Sequence, residues 1–466
     1  MWTKMALLLL GSLVSAAVWS AQAVEDELVF RELYRELVET DTTLSNGSCT
    51  DAANAMATRL RSSGLPDSDI HVIVAQEWPT QGNLVATLRG SDQSRKAIIL
   101  LAHIDVVEAR REDWARDPFK LIEEDGYYYG RGTSDDKAMA AIFVDILMRM
   151  SQSGYQPQQS LKLVLSCGEE TYNTFNGVSY LLEHHRELVD AEFAINEGGG
   201  GRLDSDGRHL FLAVQAGEKT YQDFRLEVVN TGGHSSQPRS DNAIYSLSSA
   251  LKRISEYNFP VEFNGTTRTY FERLSAMGAG READDMLAIL RSPPATDALE
   301  RILTNPGYNS VLHTTCVATM LDAGHAPNAL PQNASANVNC RIFPGHTQEE
   351  ILQILEQLVD DPEVVVSLAD APELTSPPPV LTPKILGPIE MLSEQMWPGV
   401  PVIPTMIAGA TDGRFFTPRG IPTYGVNGIF RMAGSSNIHG LNEKMRITSL
   451  FEGREFLERL IKIYAE

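Results

Sequence analysis

The stretch Ala97 to Asp105, AIILLAHID, is an apolar run that ends in a histidine and an aspartate two positions apart. On a strand, side chains at that spacing share one face. His103 would then stand beside the Asp105 carboxylate, which can fix the tautomer of an imidazole and raise its basicity. Other polar groups close other apolar runs: Glu169 and Glu170 follow Leu161–Ser166, and Glu197 follows Phe193–Asn196. Asp135 lies in a glycine-bearing turn before a helical pattern, and His439 comes far downstream. Two histidines with three or more carboxylates form the mixed nitrogen and oxygen set that zinc accepts. Adjacent acids, Glu169 and Glu170, suit a division of labour in which one holds metal and the other moves protons. Any one of these acids is most simply a surface residue. Their joint occurrence at strand ends carries the expectation of a metal site.

The elements that would position these groups alternate strand and helix. Glu25–Thr40 has helical apolar spacing, and Asp51–Ser63 is predicted as a second helix capped by Thr50 or Asp51. Asn83–Leu88, Ala97–Ile104, Leu161–Ser166 and Phe193–Asn196 read as strands, with a helix over Ala138–Met150. That order predicts an α/β fold with a mainly parallel sheet and helices on both faces. Functional groups in such sheets collect beyond the carboxyl ends of the strands.

The texture changes after about Gly217. Tyr221–Val229 alternates as a half-exposed strand, Gly232-Gly233-His234-Ser235-Ser236 follows, and a helix is predicted over Asn242–Tyr257. Beyond an irregular stretch with short helices, Val311–Leu321 and Ala334–Ile342 read as strands, Gln348–Leu358 as a helix and Glu363–Leu368 as a strand. Strand, helix, strand, strand, helix, strand is the order of a ferredoxin-like α+β unit, here with an insertion. A proline-rich stretch, Ala371–Pro383, reads as a hinge, and the apolar runs and glycine turns then return. The expected division is a leader over 1–23, an α/β domain over 24–217 and 373–466, and an inserted domain over 218–372.

The 466 residues suffice for two or three domains with substantial cores, and 43% hydrophobic with 21% charged residues excludes wholesale disorder. A net charge of −22 argues against nucleic acid and anionic membrane as partners. Lys4, the apolar Ala6–Val18 and Ala21-Gln22-Ala23 read as a secretory signal with an expected cleavage site near Val24, after which no membrane anchor is expected. The mature protein would be periplasmic or secreted, where its four cysteines could pair. Cys316 and Cys340 would face each other if their two runs pair across the loop between them, as a bridge or as free buried thiols. Cys49 and Cys167 have no spacing typical of a metal site.

In order, HxD, GRGxxDxK, a Glu-Glu pair, an acid after a further run, GGHSS and a late HGxNE resemble the co-catalytic zinc exopeptidase and aminoacylase family. That family includes glutamate carboxypeptidase, succinyl-diaminopimelate desuccinylase, aminoacylase, carnosinase and carboxypeptidase S. The resemblance covers nearly the whole mature chain, and GATDGR at 409–414 looks closest to the carboxypeptidase S and N-acyl-amino-acid branch. Ala138, where relatives often carry glycine, is a mild departure.

The resemblance implies two Zn2+ per subunit, with Co2+ or Mn2+ as alternatives. His103 and Glu197 would hold one ion, Glu170 and His439 the other. Asp135, two positions before Lys137, would bridge them, and Asp105 would orient His103. Glu169 would be the general base and His234 the stabiliser of the oxyanion. Asn328 and Arg341 match positions that bind the substrate's backbone and carboxylate, and Arg414 is a further substrate contact. The inserted domain would act as a lid and pair with its copy in a homodimer, with Tyr221–Val229 as the edge strand of that pairing.

These features predict an exported di-zinc hydrolase that cleaves an amide bond next to a free carboxylate in short peptides or N-acyl amino acids. An aminopeptidase would need an acidic site for the substrate ammonium, and the late Arg341 weighs against that reading. A catalytically inactive peptide-binding protein would have lost a ligand or the base, and none is missing.

Overall fold

A computed structural model describes residues 24–171, 174–372, 374–375 and 377–466. The expected leader, 1–23, lies outside the described residues. No helix among the described residues is long and apolar enough to cross a membrane. The chain forms two compact units. The first takes in residues up to Glu197 with Arg202–His209 and Asn427–Glu466, and the second takes in Gly198–Gly201 and Leu210–Val426.

In the first unit, five strands lie in the order Ile70–Ile73, Asn83–Leu88, Leu161–Ser166, Ile98–His103, Phe193–Asn196. The last three run parallel, and Asn83–Leu88 pairs antiparallel with both Ile70–Ile73 and Leu161–Ser166. Every residue of Ile98–His103 is buried, as its unbroken apolar run requires of a strand covered on both faces. The helix Lys137–Gln152 packs on this strand and on Leu161–Ser166. It is buried almost all round, which fits its run of alanine, methionine, isoleucine and leucine. Cys49–Ser62 packs on Ile70–Ile73 and Asn83–Leu88, and the terminal helix Ile447–Ala465 packs on Lys137–Gln152. The cap of the Cys49 helix is Ser48, whose hydroxyl accepts the Asp51 N–H, rather than Thr50 or Asp51. Cys49 is bonded to Cys167, the residue after Leu161–Ser166.

The second unit contains a four-stranded antiparallel sheet in the order Thr315–Ala323, Asn333–Ile342, Thr220–Val229, Val364–Leu368. Helices Ala243–Glu256 and Gln348–Val359 cover one face, closing a core around Phe224, Leu226, Leu247, Val338 and Leu355. This is the ferredoxin-like order, and four helices between 265 and 312 fill the insertion around Phe271, Ile289 and Ile302. Thr220–Val229 lies inside the sheet and is not an edge. Its alternation reports one buried face and carries no information on how many neighbours the strand has. The edges are Thr315–Ala323 and Val364–Leu368. Cys316 stands opposite Cys340 in the ladder, and the two are bonded. Among the elements outside the sequence expectation are the strand Ile70–Ile73, the helix Gly177–His184, the strand His209–Glu218, which runs parallel to Val402–Ile407, and the helix Pro383–Met396.

Candidate metal centre

The parallel register sets His103 beside Ser166, so the residues just past Ile98–His103, Leu161–Ser166 and Phe193–Asn196 emerge at one end of the sheet. His103 is the last residue of its strand and is buried. Its Nδ1 lies 3.1 Å from the Asp105 backbone oxygen and 3.6 Å from the Asp105 carboxylate. A carbonyl only accepts, so Nδ1 carries the hydrogen and Nε2 is the atom presented to the site. The Asp105 carboxylate also accepts the backbone N–H of Glu169 at 3.3 Å and of Glu170 at 2.9 Å. One buried aspartate therefore fixes both the histidine and the acidic pair. The turn between Cys167 and Glu169 needs Gly168, whose φ is +90° and whose missing Cβ would meet the Phe175 carbonyl.

Asp135 and His439 come from loops joined by a small sheet, Ile122–Glu124, Tyr127–Tyr129 and Lys444–Arg446. The Asp135 carboxylate gives one oxygen to each histidine: Oδ1 is 3.1 Å from His103 Nε2 and Oδ2 is 3.2 Å from His439 Nε2. Glu197 Oε1 is 3.8 Å from His103 Nε2, and Glu170 Oε1 is 3.0 Å from His439 Nε2. Glu169 reaches the same region, with ligand atoms of His103, Glu169 and Glu197 within 4.8 Å of one another. His103, Asp135, Glu170, Glu197 and His439 are thus gathered, with Asp105 and Glu169 beside them.

The carboxylates in this cluster outnumber its histidines. Burial pushes the Glu197 carboxyl well above its ordinary value and raises that of Glu170. Against the cost of burial, Glu197, Asp105 and Asp135 hold His103 well above the usual imidazole range. Hydrogen bonds to Asp135 and Glu170 push His439 up to about 10. Each histidine Nε2 therefore faces carboxylate oxygens at hydrogen-bond distance and needs a proton or a metal ion between them. A tetrahedral ion with bonds of about 2.0–2.1 Å separates its ligand atoms by about 3.4 Å. The separations of 3.0 to 3.8 Å bracket that value, so two sets sharing Asp135 fit divalent ions.

Sequence spacing assigns no role to Glu443, four residues after His439, although the HGxNE motif contains it. The structure shows it fully buried. Its Oε2 accepts from Arg131 at 2.7 Å and from the Gly132 N–H at 3.1 Å, and its Oε1 accepts the N–H groups of Ser134 at 2.7 Å and Asp135 at 3.1 Å. The signal that could have found it is an acid inside a motif otherwise read only for its histidine.

The other expected site residues belong to the second unit. His234 pairs with Ala329 in a two-residue ribbon, and the Ser235 N–H donates to the Asn328 carbonyl, so His234 and Asn328 are neighbours on an exposed turn. The Ser236 N–H donates to His234 Nδ1 at 3.1 Å, so in the neutral ring the hydrogen sits on Nε2. That tautomer presents a donor, which an oxyanion requires. Arg341 lies elsewhere, on Asn333–Ile342, with its guanidinium 4.5 Å from the centre of the Tyr221 ring. Arg414 lies on the short helix Gly413–Phe416, over Phe415.

Comparison with known proteins follows the same lines. Residues 99–463 match the model of the peptidase family M20/M25/M40. The human N-fatty-acyl-amino acid synthase/hydrolase PM20D1 is 31% identical over 388 residues, which cover 81% of this chain and 76% of the relative. A probable carboxypeptidase S-like protein 2 of Dictyostelium discoideum is 29% identical over 82% of this chain and 74% of its own. Among solved structures, the M20 family metallo-carboxypeptidase Sso-CP2 of Sulfolobus solfataricus superposes with a TM-score of 0.69 at 18% identity, covering 94% of this chain and 99% of that one. A match over most of the chain, with a histidine and carboxylate cluster at the strand ends inside it, makes this protein a member of the peptidase M20/M25/M40 family of hydrolases.

Proposed function

We propose that the protein is an exported di-zinc hydrolase that cleaves the amide bond next to a free carboxylate, in N-acyl amino acids or short peptides. The observation that carries this reading is the placing of Asp135, one oxygen toward His103 and the other toward His439. His103, Asp135 and Glu197 would hold one ion and Asp135, Glu170 and His439 the other. Bound there, the ions would supply an acidified water and a polarised carbonyl. Glu169 takes the proton of the attacking water and passes it to the leaving nitrogen. His234, as an Nε2–H donor, stabilises the negative charge that grows on the carbonyl oxygen. Arg341 takes the substrate carboxylate through its planar fork, with Asn328 on the substrate backbone and Arg414 as a further contact. The name of the human relative, an N-fatty-acyl-amino acid synthase/hydrolase, supports N-acyl amino acids as the first substrates to try.

In this reading the ferredoxin-like part of the chain is a lid that pairs with its copy in a homodimer. The edge strand Thr315–Ala323 supports this, because it exposes Val317, Met320 and Leu321. Two disulfides support export, since such bonds persist in oxidising compartments. The test is metal content measured alongside hydrolysis of a panel of N-acyl amino acids and dipeptides. Two zinc ions per chain with turnover of free-carboxylate substrates is the expected result. A metal-free protein that hydrolyses none of them refutes the reading.

A further inference from the structure

We propose that Glu443 is a positioning residue for both metal positions, acting through the backbone of the Asp135 loop; this rests on the two-metal reading above. Glu443 is fully buried, and every hydrogen bond it makes is donated to it, as a carboxylate requires. Three of the four donors are backbone N–H groups of Gly132, Ser134 and Asp135. The carboxylate thus holds the chain on which the Asp135 side chain is mounted. Its own backbone oxygen accepts the Gly130 N–H at 3.1 Å, so the same residue grips both ends of that loop.

The fourth donor, Arg131, extends the link to the second histidine. Arg131 is buried, stacks over Trp114, and its other terminal nitrogen donates to the Gly440 carbonyl at 3.1 Å. Gly440 follows His439 directly. The turn carrying His439 is conformationally demanding: Asn437, His439 and Asn442 all have positive φ, at 52°, 60° and 54°. Such backbone persists where surrounding contacts over-determine it. Glu443 and Arg131 supply those contacts, so one buried ion pair ties the loop of the shared ligand to the turn of the exposed histidine. Outer partners of this kind set the orientation of metal ligands without touching the metal.

The experiment is metal affinity by competition with a chelator, on the full chain, with zinc and with cobalt. Glu443→Gln is expected to weaken both positions by on the order of 10–100-fold while wild type binds two ions. Asp145→Asn is the control, because buried Asp145 pairs with the partly buried Arg454 and holds no metal loop. It is expected to lower the melting temperature while leaving zinc affinity unchanged. Glu443→Asp keeps the charge opposite Arg131 but draws the oxygens back by one methylene, and carries the same expectation as Glu443→Gln. A measurement on wild type needs no variant: in metal-free protein the amides of Gly132, Ser134 and Asp135 should already be protected from hydrogen exchange. Unchanged affinity at either position in a folded Glu443 variant, or free exchange of those amides, overturns the proposal. If wild type binds no divalent ion, the two-metal reading itself fails. If wild type binds two and the variants bind them as tightly, only the role of Glu443 fails.

Discussion

The carboxylate of Asp105 accepts the backbone N–H of Glu170 at 2.9 Å while standing 3.6 Å from the His103 ring. One side chain thereby sets the orientation of a ligand from each of two adjacent strands. Asp105→Ala leaves the His103 Nδ1 contact to the backbone carbonyl intact but frees the Glu169-Glu170 turn. It is expected to weaken metal binding or activity on the order of 10–100-fold. Calorimetric zinc titration beside steady-state rates checks this, and wild-type affinity in the variant would show that the carboxylate does no orienting.

Glu169 lies near enough to His103 and Glu197 to be mistaken for a ligand. As the base it should be dispensable for metal. Glu169→Ala is expected to keep both ions and lose on the order of 10²–10⁴-fold in kcat, the usual contribution of a positioned proton-transfer group. Loss of an ion on mutation would move Glu169 from the base to the metal shell.

Much of this was legible in the sequence, for identifiable reasons. Asn83–Leu88, Leu161–Ser166 and Phe193–Asn196 are mainly apolar runs, and they form strands with those bounds. The facing of Cys316 and Cys340 followed from counting outward from the loop between their strands. The placing of Thr220–Val229 within its sheet was not legible, because alternation encodes a face and not the number of neighbours. The helix Pro383–Met396 was masked by the proline-rich segment before it and by Pro388 within it. Glu443 was hidden because its partners are backbone N–H groups, which have no signature in residue types.

The two disulfides close loops of very different length, with sequence separations of 118 for Cys49–Cys167 and 24 for Cys316–Cys340. On the chain-entropy model their removal costs about 5 and about 3.5 kcal/mol respectively. Urea unfolding of the paired serine variants should rank them in that order. The Cys49–Cys167 variant should also lose activity, since Cys167 lies two residues before Glu169. Equal stability of both variants would show that unfolded-chain entropy does not dominate.

Lys219 is fully buried, with its ammonium donating to the Ser310 carbonyl at 2.8 Å and to the Thr315 hydroxyl at 3.1 Å. Burial and the nearby Arg341 push it from an ordinary 10.5 down to about 7. Between those values the unfolded chain holds a proton that the native protein has released, so stability from this group rises with pH. Below about 7 the native protein bears the full cost of the buried charge. Lys219→Met removes that dependence. Its stability relative to wild type should fall by about 2 kcal/mol between pH 7 and pH 9. A constant difference across that range would mean that Lys219 titrates normally.

The central claim is that the enzyme cleaves next to a free carboxylate, and it is tested most directly by one pair of rates. An N-acyl amino acid and its C-terminal amide present the same scissile bond and differ only in the charge that Arg341 is proposed to bind. Amidation is expected to cost on the order of 2–4 kcal/mol in kcat/KM, the cost of breaking one partner of a desolvated charged pair. In Arg341→Ala the same change should cost little, because the partner is already gone. If wild type hydrolyses the acid and the amide equally well, the carboxylate is not what the site recognises, and the proposed specificity is wrong.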